Sequence, residues 1–549
     1  MGLAMAALLT VATARADQGA FSGVVEINTI NVDVMATRHG NPVTNLRKSD
    51  FEVYEDGVRQ DIANFAKVVD GSVYLNAAGH AVSDARDVRF RRHIALIFDM
   101  NFVEKPWLAR ALKATRQFVI SRGGNDVDWS VVVIGSEPQV LVPFTADTKP
   151  VLAALDRIAE EPGFRLLHNF DESLIFDPLG TELMGRELRL RSEFKANKFQ
   201  ERLSDLANRE FAMKNIEVYT SLARGLVDIF RNYASTPGKK ACILVTGNMD
   251  LNRRPAPQYN HMAPNSTPFL RHGFDTFFAT YLHIVADLWK EIERTANTSG
   301  FRIYAANALG LEQPLPYFTA ENPGSETPNS TIRNARWEDL SRMLTDATGG
   351  TYFNANSVAP ALETVDQELK TYYSLAFTAK HPRDNSYHKI EVKVRRPGIK
   401  LRYRKGLYNL SPETLLAEQM VSPASFPKVG GALPTMVRVK SHLNGPDVEV
   451  TATVATPVRD LTFLPKGDHS VCDLDIYMAV YNKRGNILNL KREQQTVEVP
   501  SDVLKSAGNS PFRYAMKFKL PKASYTVAMA VYDKVGGTSG LANAPVLAQ

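Results

Sequence analysis

Apolar residues recur along this chain in two rhythms, and the change between them divides it. In residues 24–68, Ile30, Val32 and Val34 alternate with polar neighbours, the period of a strand with one face buried. The run Phe51 to Glu55 then meets Asp56-Gly57, a hairpin turn signal, and a second strand follows. From Arg92 the rhythm changes. His93 to Asp99 (HIALIFD) is a continuous apolar run, as in a strand covered on both faces. Ala241 to Thr246 and Phe301 to Asn307 repeat it, and WSVVVIG and QVLVPF add two further strands. Helical patterns over Lys105 to Ser121, Lys149 to Ile158 and Val358 to Lys370 lie between and after these runs. Strands interleaved with helices predict an α/β unit over residues 92–370 with a doubly wound, mostly parallel sheet.

Alternation returns at residues 372–408, in YYSLAFT, HKIEVKVRR and KLRYRKGLY. This segment and residues 24–68 are each too small to fold alone, so they are expected to pair into one β-sandwich-like domain. Residues 409–431 read as a linker. In residues 432–549, Cys472, Leu474, Ile476, Met478 and Val480 alternate cleanly, as do Val527, Met529 and Val531, which predicts an immunoglobulin-like β-sandwich. A helical insertion over residues 180–215 carries Arg186, Arg189, Arg191, Lys195 and Lys198. It is expected to be a packed helical hairpin with a wet basic side, the other reading being a partner-binding arm.

At 549 residues the chain exceeds one hydrophobic core. Its net charge of +6 is spread along the length without a basic stripe or zinc-finger spacing, which argues against nucleic acid as a partner. Residues 1–16 run from the apolar stretch Leu3 to Ala14 into Ala14-Arg15-Ala16, the pattern of a secretory leader, although no Lys or Arg precedes it. Export to a periplasmic or extracellular location is therefore expected, without a transmembrane anchor after leader removal. Cys242 and Cys472 lie in separate apolar β patterns and are expected to be buried thiols; no C-x-x-C occurs.

The phrase RRHIALIFDMNF, a buried strand ending in Asp99, resembles the start of a von Willebrand factor type A domain. PGKKACILVTGNMDL from Pro237, FRIYAANALG and LSRMLTDATGGTYF from Leu340 resemble that family's fourth, fifth and sixth strands with their helices. The order of VTNLRKSDFEVYEDGVRQDIANF, the A-like unit and HKIEVKVRRPGIKLRYRKGLY is similar to the von Willebrand factor A-related proteins abundant in acidobacteria. The resemblance implies a module that binds a protein or cell-surface ligand, in many members through a Mg²⁺ or Mn²⁺ held by hard oxygen ligands at the strand ends. Here that motif is eroded. Asp99 matches the first ligand, and Asn101 stands in for a serine. Val103 replaces a second serine, and Thr246-Gly247 replaces Thr-Asp. Asp250 lies three residues further on. Asp99, Asn101 and Asp250 are thus the candidate ligands of a degenerate metal-ion-dependent adhesion site. The other reading of Asp99 is a carboxylate capping the turn that follows it.

In open α/β sheets, ligands bind beyond the carboxyl ends of the strands. Two long stretches without helical period follow strands at that edge: Asp250 to Phe274 and Leu309 to Arg336. Arg253, Tyr259, His261, Tyr317 and Phe318 are the candidate partner contacts there, being residue types that anchor interfaces. No G-x-S-x-G, H-E-x-x-H, phosphate-loop or dinucleotide motif occurs. His261, His272 and His283 with Asp250 match no ligand template. The expectation is a non-catalytic exported binding, adhesion or scaffolding module. The alternatives are an envelope component that self-associates through its β domains, and a cryptic hydrolase.

Overall fold

A computed structural model of the protein describes residues 28–75, 90–103, 105–122, 127–135, 138–160, 217–247, 268–308, 341–354, 357–422, 430–483, 485–506 and 510–546. The helical insertion over residues 180–215 lies outside them.

The chain is mixed α/β, with one largely parallel sheet and several antiparallel ones. The central sheet has six strands in the order Tyr352–Asn354, Phe301–Asn307, Lys239–Thr246, Arg92–Asp99, Val127–Ile134 and Pro138–Thr145. Neighbouring pairs run parallel except the last, which is antiparallel. Every residue of Arg92–Asp99 and of Val127–Ile134 is buried, which explains the continuous apolar stretches Ile94 to Phe98 and Val131 to Ile134. Successive side chains of Arg92–Asp99 enter two separate cores. Ile94, Leu96 and Phe98 pack against the helices Lys105–Arg122, Thr148–Glu160 and Ala359–Lys370. Ala95 and Ile97 face a core built by the helix at 217–232, the helix Pro268–Ser299 and Leu344. Helices therefore cover both faces.

The helix Pro268–Ser299 corrects one expectation. Residues 268–274, read as loop, are its first turns. Their sequence shows no helical period, and the helix is anchored instead by buried Ile292 and Ala296 near its far end.

Residues on either side of the α/β unit build a second body. Thr29–Arg38 lies antiparallel to Tyr372–Thr378, which pairs in turn with Ile62–Val69. A facing sheet pairs Tyr387–Val394 with Phe51–Glu55, and Phe51–Glu55 with Val58–Gln60. Ile30, Val32 and Val34 from one sheet meet Phe51, Val53, Ile390 and Val392 from the other in one core. The hairpin at Asp56-Gly57 has φ of 49° and 81°, the paired positive values of a type I′ turn. Lys239 Nζ reaches Asp33 Oδ1 at 2.8 Å and Tyr304 donates to Glu368 at 2.9 Å, where Arg402 of the β body also pairs. These contacts lock the two bodies at the amino ends of the parallel strands.

The C-terminal part is two antiparallel sheets around one core. Met436–Asn444, Asp447–Pro457 and Pro511–Pro521 face a sheet centred on His469–Asn482 and Tyr525–Asp533. Part of the segment read as a linker is helical. Pro412–Val421 starts from Ser411, whose hydroxyl accepts the Thr414 N–H, and buries Leu416 and Met420 against Tyr477 and Tyr481. Its Glu418 takes Arg294 of the α/β unit at 3.1 Å. Cys242 and Cys472 are free, buried thiols. No helix among the described residues is long and apolar enough to cross a membrane.

Candidate functional site

The chain runs outward from Arg92–Asp99 to one side, then returns to its other side with Lys239–Thr246 and continues away. Strand order reverses between these two neighbours. A crevice at the carboxyl ends of such a pair is where open α/β sheets host ligands. Asp99 and Thr246 stand there.

Asp99 is fully buried. Its Oδ2 accepts the Thr246 hydroxyl at 2.6 Å, and its Oδ1 accepts the Asn101 N–H at 3.0 Å. The Phe102 N–H also donates to it. Burial pushes the Asp99 carboxyl up to about 7, against these three donors, which work to lower it. The side-chain amide of Asn101 turns away from Asp99 and donates to the Gly135 carbonyl at 3.1 Å. Ser221, from the helix at 217–232, donates to the same carbonyl at 2.6 Å. The Phe102 and Tyr219 rings pack 5.1 Å apart. The loop after Asp99 is thereby tied to a strand end on one side and to a helix on the other.

Gly247 shows how closely that loop sits. A Cβ added there would lie 1.8 Å from the Phe102 carbonyl oxygen and 2.6 Å from its carbon. Any side chain at this position meets main chain, so an aspartate is sterically excluded while the loop holds this course. Val103 is buried and apolar.

A divalent ion of the Mg²⁺ or Mn²⁺ class needs several hard oxygen ligands around one point. The described residues offer one carboxylate, and both its oxygens already hold donors from the chain. These residues do not fit the ion. Of the candidate ligands, the structure brings Asp99 and Asn101 together, with the Asn101 amide engaged elsewhere; Asp250 lies outside the described residues. Arg253, Tyr259, His261, Tyr317 and Phe318 also lie outside them. His272 falls on the helix Pro268–Ser299 and His283 is exposed on it. Sequence reasoning placed Asp99 and Thr246 at this edge but missed the Phe102 carbonyl, Gly135 and Ser221. Two of those three act through backbone carbonyls, which carry no residue-type signal.

No family model matches the chain, and no curated protein matches it in sequence. Among solved structures, it is similar to a von Willebrand factor type A protein from Catenulispora acidiphila, at 11% identity and TM-score 0.24, over 92% of this chain and 75% of that one. It is also similar to an aerotolerance-related membrane protein from Bacteroides fragilis, at 10% identity and TM-score 0.26, over 50% of this chain and 98% of that one. A conserved hypothetical protein BatB from Bacteroides thetaiotaomicron matches at 11% identity and TM-score 0.23, over 50% and 96%. Likeness at this level carries no weight for fold or function, and the chain's own geometry has to do so.

Proposed function

We propose that the chain is an exported, non-catalytic protein-binding or scaffolding module, built on a doubly wound, von Willebrand factor A-like sheet carried between β-sandwich bodies. One observation supports this most directly. The carboxyl ends of the central strands, where open α/β sheets place their chemistry, hold a buried hydrogen-bonded latch of Asp99 with Thr246, Asn101 and Phe102. A carboxylate whose acceptors are filled by its own chain is a structural brace. Recognition at this edge then falls to the segments that follow the strands, and it proceeds without a metal bridge. Kinship with the von Willebrand factor A-related proteins of acidobacteria rests on the ordered sequence phrases, and export on the leader-like residues 1–16.

The test is capture of envelope and extracellular proteins on the immobilised full chain, in EDTA and in Mg²⁺. The same specific partners are expected in both buffers. A partner retained in Mg²⁺ and released by EDTA would restore the metal-dependent mode. No specific partner from any fraction would overturn the binding reading.

A second reading, an envelope component that self-associates through β structure, has its own observation. Ile487–Pro500 is a 14-residue edge strand, paired on one side with His469–Asn482, and it exposes Ile487, Leu488 and Leu490. Long edges of this kind template pairing with another chain.

A further inference from the structure

The core of the N-terminal β body ends in polar groups where its alternation calls for apolar ones. Along Phe51–Glu55 the inward positions are Phe51, Val53 and Glu55, and all three are buried. Along Tyr387–Val394 they are His388, Ile390 and Val392, also buried. Glu55 pairs with Ile390 in the ladder, so Glu55 and His388 occupy the same end of the same inner face. A third group closes over them. The His381 ring stacks on the His388 ring, with centroids 4.1 Å apart and planes 16° from parallel. His381 Nε2 stands 3.2 Å from Glu55 Oε1. One ligand atom from each of Glu55, His381 and His388 lies within 4.8 Å of the other two.

The hydrogen bonds around this cluster leave two facing atoms, Glu55 Oε1 and His381 Nε2, outside them. His388 Nδ1 faces Asp56 Oδ2 at 2.8 Å and its Nε2 faces Asp384 Oδ1 at 3.1 Å. With a carboxylate at each nitrogen, His388 is the ring that carries the positive charge. His381 Nδ1 lies 2.9 Å from the Pro382 carbonyl. A carbonyl only accepts, so Nδ1 holds the proton. His381 Nε2 faces the buried carboxylate oxygen of Glu55. Neither His381 Nε2 nor Glu55 Oε1 has a hydrogen-bond partner. The two atoms lie 3.2 Å apart inside a cluster holding three carboxylates and two imidazoles. Burying such groups unpaired is costly.

We propose that Glu55, His381 and His388 form a binding site for a divalent transition-metal ion of the zinc class. Two imidazole nitrogens and one carboxylate oxygen suit Zn²⁺ or Co²⁺ and are too soft a set to select Mg²⁺ or Ca²⁺. Ligand atoms of a tetrahedral zinc stand about 3.3 Å apart. Side-chain rotation closes the present spread, because the main chain is already fixed. Asp56 accepts the Lys389 N–H at 2.8 Å, and Asn28 and Asn409 donate to the His381 and Pro382 carbonyls at 3.3 Å each. On binding, His388 yields the proton on the nitrogen turned to the ion, and the other nitrogen stays on its carboxylate, the arrangement that orients metal-bound imidazoles. The ion would staple the turn before Tyr387–Val394 to the Asp56-Gly57 hairpin, apart from the strand-end face.

The experiment is titration of the chelator-stripped full chain with Co²⁺ and with Zn²⁺, read by the visible absorption of bound Co²⁺ and by the unfolding midpoint. One saturable equivalent and a raised midpoint are expected, with no response to Mg²⁺ or Ca²⁺. His381→Ala, at a part-exposed position, is expected to keep the unfolding midpoint measured in EDTA and to lose affinity by at least about 100-fold. Glu55→Gln is expected to lose the equivalent too. His469→Ala, beside Asp468 on the C-terminal part, is expected to retain it. Absence of a saturable equivalent in the unsubstituted chain overturns the site, as does an unchanged Co²⁺ spectrum in His381→Ala. Should Glu55→Gln fail to fold, the other two measurements decide.

Discussion

The Thr246 hydroxyl donates to Asp99 Oδ2 at 2.6 Å, joining two strand ends that adjoin in the sheet but lie 147 residues apart in the chain. It closes the point from which the two halves of the central sheet diverge. Asp99→Ala removes the acceptor for this hydroxyl and for the N–H groups of Asn101 and Phe102, leaving buried donors unpaired. A loss of about 1–3 kcal/mol is expected in chemical denaturation. Thr246→Val, which removes one donor and keeps the shape, is expected to cost less, about 1 kcal/mol. Mg²⁺ and Mn²⁺ are expected to shift neither variant nor the unsubstituted chain through this site. An unchanged denaturation midpoint in Asp99→Ala would show that the latch contributes nothing.

Gly247 tests the same closure from the other side. Gly247→Asp supplies the carboxylate that the resembled motif calls for, yet its Cβ would meet the Phe102 carbonyl at 1.8 Å. Overpacking of this kind costs about 1–3 kcal/mol. The expected outcome is destabilisation, already present in Gly247→Ala, and no gain of Mg²⁺ binding by calorimetry. A stable Gly247→Asp that takes up Mg²⁺ would mean that the loop after Asp99 moves freely, against the ties of Asn101 and Ser221 to Gly135.

Parts of the molecule that bury both faces of a strand were legible in the sequence, because continuous runs such as His93 to Asp99 have few other uses. The Asp56-Gly57 turn was legible for a similar reason: positive φ at both positions narrows the residue choice. Other features depend on partners far along the chain. Pro412–Val421 is short, and what makes it more than a linker is the burial of Leu416 and Met420 on a sheet that begins later. The closed state of the strand-end site depends on one backbone carbonyl, that of Phe102, meeting Gly247. Glu55 and His388 did leave a trace, each a polar residue at an inward position of an alternating strand. Single exceptions of that kind become informative once register places them side by side.

His93 gives the fold a pH dependence. It lies buried beside Phe144, with Asp128 Oδ2 at 3.3 Å from its Nδ1. Burial lowers its pKa to about 4, with Lys240 and Arg91 adding to the effect and Asp128 opposing it. An unfolded chain releases this proton near pH 6.5. Between those values the unfolded state binds more protons than the folded one, so the contribution is full above about pH 6.5 and is lost as pH falls toward about 4. The unfolding free energy of the unsubstituted chain, less that of His93→Phe, is expected to fall across this window. Its slope is bounded by one proton, about 1.4 kcal/mol per pH unit. A difference that is flat from pH 7 to pH 4 would show that His93 titrates alike in both states.

The exposed edge at Ile487–Pro500 decides between a solitary module and an assembling one. Leu488 and Leu490 are 53% and 43% exposed, close together near the start of the strand. Lys491, Arg492 and Glu493 follow directly, and charges on an edge oppose indiscriminate pairing. A weak, specific self-association is the outcome that reconciles the two features, with the edge strands of two copies meeting. Sedimentation of the full chain over a wide concentration range is expected to show a monomer giving way to a dimer. In Leu488→Lys combined with Leu490→Glu, the transition should move to at least about tenfold higher concentration, about 1.4 kcal/mol of association free energy. High salt bears on the mechanism. Screening weakens charge-mediated contacts and leaves apolar ones intact, so a dimer that persists in salt and fails in the double variant is held by the leucines. A monomer at every concentration would remove the assembly reading and leave the segments beyond Asp99 and Thr246 as the place to look for a partner.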